Sequence, residues 1–126
     1  MLRTLLIVGT GGFIGSALRY LVQVVTEKAL TSTFPWGTFI VNVVGSFIIG
    51  IVYALSEKGN LISPEWRMFL AVGICGGFTT FSAFTYNNLN LLKDNSLYYL
   101  LWNIGGSLFF GILAVYLGII LIRSIL

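Results

Sequence analysis

Residues 73–85 read GICGGFTTFSAFT and interrupt the third of four long apolar stretches in this chain. Adjacent glycines weaken an α-helix through their backbone entropy, and consecutive β-branched threonines weaken it further. The sequence therefore predicts a transmembrane helix that is broken near the middle of the bilayer. A broken helix leaves carbonyl groups free, which a membrane tolerates only where they face a cavity, a partner or an ion. Free carbonyl oxygens of this kind would coordinate a hard cation such as Na⁺.

The composition of the whole chain indicates a membrane protein. Of 126 residues, 57% are hydrophobic and 9% are charged, whereas a soluble domain carries about 25% charged residues. This composition excludes an ordinary soluble domain, a disordered chain and a nucleic-acid binder. A single cysteine excludes an internal disulfide, and the absence of histidine excludes a transition-metal cluster.

Charged residues divide the chain into four predicted spans, at about 4–25, 37–56, 66–92 and 97–122. Each span is long enough for a membrane crossing, which needs about 20 helical residues. Aromatic residues near the ends of the spans are typical of the membrane interface; they are Trp36, Trp66, Tyr98, Tyr99 and Trp102. The loops are too short for a further domain, so we expect residues 1–126 to form one all-α integral membrane domain.

The basic residues define the orientation of the chain only weakly. With four spans, we expect Arg3, Lys58, Arg67 and Arg123 on one side of the membrane. Lys28 and Lys93 lie on the other side, with Arg19 added to them if it extends that way. The positive-inside rule needs a clearer bias than this. Two interpretations follow: one weakly specified orientation, or insertion in both orientations followed by antiparallel pairing of two copies.

The glycine-rich stretch GTGGFIGS at residues 9–16 is similar to a nucleotide-binding loop. Such a loop needs a strand before it, a helix after it and a parallel sheet. No alternation of strands and helices follows here, because the next stretch is another long apolar span. We therefore interpret Gly11 and Gly15 as a G-x-x-x-G face that permits close contact between helices.

The polar residues inside the spans favour an anion over a cation. The four predicted spans contain no Asp or Glu, and Arg19 is the one charge clearly within a span. Arg19 either extends to the interface or attracts anions into a vestibule. Thr38, Asn42 and Ser46 share one helical face. There Asn42 either bridges two helices or donates to an anion.

Two further sets of residues have open interpretations. Phe81 and Phe84 share a face, and their rings either pack in the structure or surround an anion with their positive edges. Asn103 and Ser107 in the fourth span either line a pore or seat a neighbouring helix.

Three stretches of the chain together resemble the Fluc (CrcB) family of small fluoride channels: GGFIGSALRY at 11–20, GTFIVNVVGSFIIG at 37–50 and residues 73–84. The resemblance covers essentially the whole chain. The chain departs from the family pattern at Ala83, Asn87 and Asn103, where the family pattern leads us to expect Thr, Glu and Tyr.

The resemblance implies an antiparallel, dual-topology homodimer with two fluoride pathways. Phe81 and Phe84 would contact fluoride with their ring edges, Asn42 would donate its amide, and Arg19 would lie in an aqueous vestibule. The remaining implied pathway residues are Thr38, Thr80 and Ser82. The carbonyl groups of Gly76 and Thr79 from both subunits would hold a central Na⁺. The channel would export fluoride passively through the bacterial cell membrane.

Three alternatives belong to other functional classes. A small dual-topology transporter of cationic compounds would need an intramembrane Glu, which the spans lack. A non-transporting membrane scaffold would use Phe81, Phe84 and Asn42 only for stability. A membrane-embedded enzyme would need a histidine, a carboxylate pair or an activated nucleophile within the spans, so we expect no enzymatic activity.

Overall fold

The computed structural model describes residues 1–58 and 61–126, and all regular secondary structure in this part of the chain is helical. Helix α1 is Leu2–Ala29, α2 is Trp36–Glu57, α4 is Phe81–Lys93 and α5 is Leu97–Ile125. Helix α3 covers residues 64–78 and forms the third span together with α4. These helices make four segments long and apolar enough to cross a membrane, as the sequence predicts. Each segment contains the corresponding predicted span.

Helix α3 is only partly α-helical. It begins with Pro64–Arg67, where the Ser63 side chain accepts a hydrogen bond from the Trp66 amide (3.2 Å), as expected for an N-cap followed by proline. Met68–Cys75 then forms a π-helix, a conformation that rarely exceeds one turn. Gly76–Phe78 returns to α geometry. Nothing in the sequence pattern of residues 68–75 predicts the π-helix.

The predicted break in the third span lies at Thr79 and Thr80, whose backbones are extended (φ −86°, ψ 159° and φ −151°, ψ 121°). The glycines themselves remain helical. Gly77 instead permits α1 to approach, because a Cβ there would lie 2.6 Å from the Gly12 carbonyl oxygen. The glycines therefore serve packing, and the two threonines form the break.

The predicted glycine face of α1 lies directly against the π-helix. A Cβ at Gly11 would lie 2.6 Å from the Phe69 carbonyl oxygen and 2.9 Å from Gly73 Cα. A Cβ at Gly15 would overlap the carbonyl group of Ile74. Backbone-to-backbone packing of this kind is available only to glycine and is typical of helix pairs in membranes. Helices α2 and α5 pack in the same way, through Gly50 and Gly118.

This packing predicts that Gly15→Ala lowers the free energy of unfolding by about 2–3 kcal/mol, since the added methyl group meets backbone that cannot rotate away. The matched control is Gly9→Ala in the same helix, where nothing lies within 4 Å of the added Cβ. We expect the control to be neutral or stabilising by up to about 1 kcal/mol, because alanine is the better helix former. SDS titration of the detergent-solubilised protein measures both values. Equal stability of the two variants would contradict the packing described here.

Candidate functional site

Asn42 of α2 bridges the break in the third span. Its Nδ2 donates to the Thr80 carbonyl oxygen (3.1 Å), and its Oδ1 accepts from the Thr80 amide (2.8 Å). The carboxamide thus pairs with both backbone polar groups of a residue that has left the helix, groups that hydrocarbon cannot satisfy. The structure therefore supports the helix-bridging interpretation of Asn42. The carboxamide nitrogen carries a second N–H, which remains for a further acceptor.

Thr80 also begins the second half of the broken span. Its Oγ1 accepts from the Ala83 amide (3.1 Å), which makes it the N-cap of α4, and it lies 3.4 Å from the Ser82 hydroxyl. The amides of the first turn of a helix have no intrahelical partner, and the helix dipole is positive at this end. The break therefore presents a partial positive charge in the transmembrane region.

A groove of about 320 Å³ lies beside the break. It is lined by Asn42, Gly45, Ser46, Ile49, Thr79, Thr80, Phe81, Phe84, Ser107 and Leu108. The structure thus brings together four of the predicted pathway residues: Phe81, Phe84, Asn42 and Thr80. Ser82, another of the seven predicted pathway residues, contacts the Thr80 hydroxyl at the edge of the break.

The two phenylalanines of the groove form a pair, with ring centroids 6.0 Å apart and an interplanar angle of 40°. Phe84 is half-buried, but Phe81 is 76% exposed on the surface of the protomer. An aromatic ring this exposed contributes little to the packing of one protomer. Phe81 is therefore available to a ligand or to a second subunit.

Thr38 lies outside this groove, in a polar chamber of about 340 Å³. The chamber is lined by Gln23, Thr26, Glu27, Leu30, Ser32, Thr33, Phe34, Pro35, Trp36, Gly37, Thr38, Ala83, Asn87, Asn90, Leu91 and Asp94. Thr38 and Asn42 are one helical turn apart on the same face of α2. The chamber and the groove therefore follow one another along that face.

Arg19 contacts the break from the side of α1. Its Nε donates to the Gly77 carbonyl oxygen (2.9 Å), and the contact is partly buried. A cation at this position complements the negative end of the α3 dipole. The guanidinium therefore extends toward the break, and its predicted place in an aqueous vestibule stays a prediction.

The break leaves the Gly76 carbonyl group without its helical amide partner, and the predicted cation contact of Thr79 stays a prediction. The Thr80 amide, which would bond to the Gly76 carbonyl in a continuous helix, donates to Asn42 instead. Gly76 is also exposed on the protomer surface. Within residues 1–58 and 61–126, no group of three or more His, Cys, Asp or Glu side chains is placed to hold a metal ion. A cation here would rely on backbone oxygens, which Na⁺ accepts as a hard ion.

Gln23 is not among the predicted site residues, although it is a long polar side chain within the first span. Gln23 is four residues after Arg19 and therefore lies on the same face of α1. Its Nε2 donates to the Thr38 hydroxyl oxygen (3.4 Å). The i, i+4 spacing from Arg19 is the signal in the sequence that could have identified Gln23 as a site residue.

Asn103 joins α5 to α4 through a side-chain hydrogen bond, and it does not line the groove. Its side chain is fully buried, and its Nδ2 donates to Asn88 Oδ1 (2.7 Å). Ser107 hydrogen-bonds to Asn103 Oδ1 (3.4 Å) and also lines the groove. Of the two interpretations of the fourth span, the structure therefore supports helix seating for Asn103, whereas Ser107 bonds within its own helix and lines the groove.

Four spans, a helix break bridged by a carboxamide and a groove with paired phenylalanines define a small multi-pass membrane protein with a polar site in its transmembrane region. The sequence model described as "CrcB-like protein, Camphor Resistance (CrcB)" matches residues 6–119. This chain belongs to the CrcB-like family. Family and spans together make it a multi-pass bacterial membrane protein.

Three relatives illustrate the similarity, and each is named a fluoride-specific ion channel, FluC. The relative from Flavobacterium psychrophilum is 39% identical over 124 residues, which cover 98% of this chain and 100% of the relative. The relative from Chlorobium phaeobacteroides is 46% identical over 114 residues, 90% of this chain and 88% of the relative. The relative from Leptospira interrogans is 48% identical over 92 residues, 73% of this chain and 72% of the relative.

Proposed function

We propose that this chain is a fluoride channel in which the groove at the helix break carries the anion. The observation that carries the proposal is the placement of Phe81, Phe84 and the Asn42 carboxamide in one groove. The relatives named fluoride-specific ion channels support it. Ring edges, amide N–H groups and a helix N-terminus all present positive partial charge. No carboxylate lines the groove to oppose an anion or to exchange a proton.

These groups can replace the water around a small anion. Asn42 has one N–H beyond the bond to Thr80, and the first turn of α4 adds its unpaired amides. In a site away from water such donors interact more strongly than in solution. Fluoride is the smallest halide and the strongest hydrogen-bond acceptor among them. A site with these donors therefore favours fluoride over chloride.

A homodimer follows from the open side of the groove. Asn42, Ser46, Thr80 and Ser107 line a surface that would otherwise face lipid, and polar groups exposed to hydrocarbon are costly. A second copy covers this surface. The weak bias of basic residues permits the copy to insert in the opposite orientation. Each copy brings its own groove, so the antiparallel dimer has two fluoride pathways.

Na⁺ fits the same dimer as a central, structural ion. The carbonyl groups of Gly76 and Thr79 from both subunits would hold it, with Gly76 already exposed at the surface where a partner would meet it. When bound, the ion supplies positive charge that offsets the carbonyl dipoles of the two breaks. The contacts of Asn42 and Arg19 keep each break in the shape that presents these oxygens.

Passive export follows from the charge of fluoride. Fluoride that enters a cell as neutral HF dissociates inside, and the anion then leaves through a channel without a coupled ion. An interior-negative potential drives one negative charge outward by about 2.3 kcal/mol per 100 mV. No intramembrane carboxylate is needed for this transport, in agreement with spans that contain none.

The test is fluoride release from liposomes that contain the purified protein, read with a fluoride electrode while valinomycin carries the K⁺ counterflux. We expect rapid fluoride release and no chloride release in a matched chloride-loaded preparation. Protein-free liposomes give the background for both anions. Equal release of chloride would contradict a selective fluoride pathway. No fluoride release by a folded dimer would favour the scaffold alternative.

A further inference from the structure

An apolar cavity of about 510 Å³ lies between α2 and α5, near the membrane surface at which both helices begin. Most of its lining is aromatic: Phe34 from the loop before α2, Trp36 and Phe39 from α2, and Tyr98, Trp102 and Phe110 from α5. Among the described residues, none that lines the cavity is charged. Sites for small molecules have volumes of about 300–1,000 Å³. The cavity is therefore large enough for a ligand, and its lining suits an apolar one.

Contacts between the aromatic rings give the cavity a fixed shape. Phe34 is buried, with 8% exposure. Its ring centroid lies 4.7 Å from that of Trp36 and 5.7 Å from that of Phe39. Toward α5, the rings of Phe39 and Phe110 meet edge to face, with their centroids 6.1 Å apart. Tilted and edge-to-face pairs are favourable arrangements of aromatic rings. The lining is therefore in place before a ligand arrives.

The cavity is elongated, with hydroxyl groups at one end. That end has Ser32, in the loop before α2, together with Tyr98 and Tyr99 in the first turn of α5. The other end has Gly106 and Phe110, further along α5. Tyr98 and Phe110 are about 18 Å apart along this helix. A phospholipid has the same polarity, because its headgroup lies at the interface, where tyrosine is common, and its chains extend into the bilayer.

The bilayer around α2 and α5 supplies such a ligand. Both helices are long and apolar enough to cross a membrane, and Trp102 is 53% exposed beside the cavity. The cavity therefore opens on the outer surface of these spans. Water does not fill an apolar cavity, and an empty cavity deprives its lining of van der Waals contacts. A hydrocarbon chain restores those contacts.

A second copy of the chain is the other candidate occupant, but the proposed dimer does not need this surface. In that dimer the second copy covers the groove at the helix break. Within the part of the chain that the structure describes, no residue lines both the groove and the cavity. The cavity side of α5 carries Trp102, Gly106 and Phe110 at intervals of four residues, and the groove side carries Ser107. The cavity is therefore available to lipid in that dimer.

We propose that the cavity binds one acyl chain of a membrane phospholipid, with the headgroup at the end formed by Ser32 and Tyr98. Phe34 and Trp36 line both the cavity and the polar chamber. The bound chain therefore contacts the wall between the chamber and the bilayer, and it supports the loop that contains Phe34. Binding of the chain does not depend on which ion the protein transports.

Tryptophan fluorescence tests the site, because bromine atoms on an acyl chain quench a tryptophan that they contact. Trp102 lines the cavity, whereas Trp66 lies outside it with nearly the same exposure, 56% against 53%. Two proteins with a single tryptophan are compared. Both carry Trp36→Phe; one adds Trp66→Phe and keeps Trp102, and the other adds Trp102→Phe and keeps Trp66.

Brominated phosphatidylcholine is titrated into each of these proteins in detergent. We expect half-maximal quenching of Trp102 at about tenfold less lipid than half-maximal quenching of Trp66, a preference that one or two favourable ring contacts can supply. Lipid that covers the whole apolar surface without a site would quench the two equally exposed tryptophans alike. Equal titration curves would therefore overturn the proposal.

Gly106→Leu fills the cavity from the side of α5. A Cβ at Gly106 would lie 3.6 Å from Phe39 Cε2 and 3.9 Å from Trp102 Cε3, so the leucine begins between two rings of the lining without a clash. Gly105→Leu is the matched control, since nothing lies within 4 Å of a Cβ there and Gly105 does not line the cavity. We expect native mass spectrometry of the purified proteins to detect one phospholipid fewer per chain in Gly106→Leu than in Gly105→Leu.

The same lipid content in the two leucine variants would overturn the proposal. Dissociation of the proposed dimer by Gly106→Leu alone would also overturn it, because a second copy would then occupy the cavity. If Gly106→Leu does not fold, the comparison of Trp102 with Trp66 decides by itself, since both single-tryptophan proteins keep Gly106.

Discussion

Asn42→Leu is expected to abolish fluoride flux and to lower the free energy of unfolding by about 3–5 kcal/mol, because it leaves two polar groups of Thr80 unpaired. The Thr80 amide and carbonyl both lose their partner at once. Neither can find water in the bilayer core, and neither can return to a helix without moving the start of α4. SDS titration and the liposome assay measure the two effects separately.

Ser46→Ala is the matched control for Asn42→Leu. Ser46 lies one turn further along the same face of α2 and lines the same groove, but its hydroxyl only adds a second donor to the Asn42 backbone carbonyl (2.7 Å). We expect a loss of about 0.5 kcal/mol or less from this change. Equal stability losses for Asn42→Leu and Ser46→Ala would contradict the bridging role of the Asn42 side chain.

Asn42→Asp is a second test of the role of Asn42, for use if the Asn42→Leu protein is too unstable to purify. The carboxylate still accepts from the Thr80 amide but cannot donate to the Thr80 carbonyl, and it adds a negative charge to the groove. We expect a folded protein whose fluoride flux falls by at least about a hundredfold, since like charge opposes entry of the anion. Near-normal flux in this variant would place the anion pathway elsewhere.

The spans were predictable because their signal is local and repeated. A run of about 20 apolar residues between charges fixes a membrane helix without knowledge of its neighbours. Even so, the break was predicted from the glycines and the threonines together, and only the two threonines, Thr79 and Thr80, leave the helix. Gly77 stays helical because α1 packs against it, and such a contact between separate spans is not encoded in either segment alone.

The site residues were predictable as a set, but their partners were not. The i, i+4 spacing placed Thr38 and Asn42 on one face of α2 correctly. It could not show that Asn42 pairs with Thr80, 38 residues away in sequence, or that Thr38 receives hydrogen bonds from α1 and α4. These pairings depend on how the spans cross. The π-helix was missed for the same reason, since its backbone fits the glycine face of α1.

Phe81→Ile is expected to reduce fluoride flux by at least about a hundredfold, a difference of about 2.7 kcal/mol in the barrier to permeation. The protein should stay folded and the proposed dimer should stay intact. Isoleucine fills similar space but lacks the quadrupole whose positive edge faces an anion. Stability should change by about 0.5 kcal/mol or less, because Phe81 is 76% exposed on the protomer. Fluoride flux, SDS titration and chemical cross-linking of the reconstituted protein measure the three quantities.

Phe13→Ile is the matched control, because Phe13 is equally exposed at 76% but lies on α1, outside the groove. The same loss of ring area at this position should leave fluoride flux unchanged. If both variants lose fluoride flux, the loss results from changing the lipid-facing or subunit-facing surface in general. If Phe81→Ile dissociates the dimer, the ring serves assembly, and its contact with fluoride is no longer required to explain the loss.

Phe84→Ile tests whether the two rings act together. This half-buried ring pairs with Phe81, and the two ring centroids are 6.0 Å apart. If the two rings act on one anion, replacing both should cost little more than replacing Phe81 alone, since residues that act as one unit are not additive. If each ring contacts fluoride at a separate point along the pathway, the two losses should multiply. The double variant therefore distinguishes one fluoride site from two in succession.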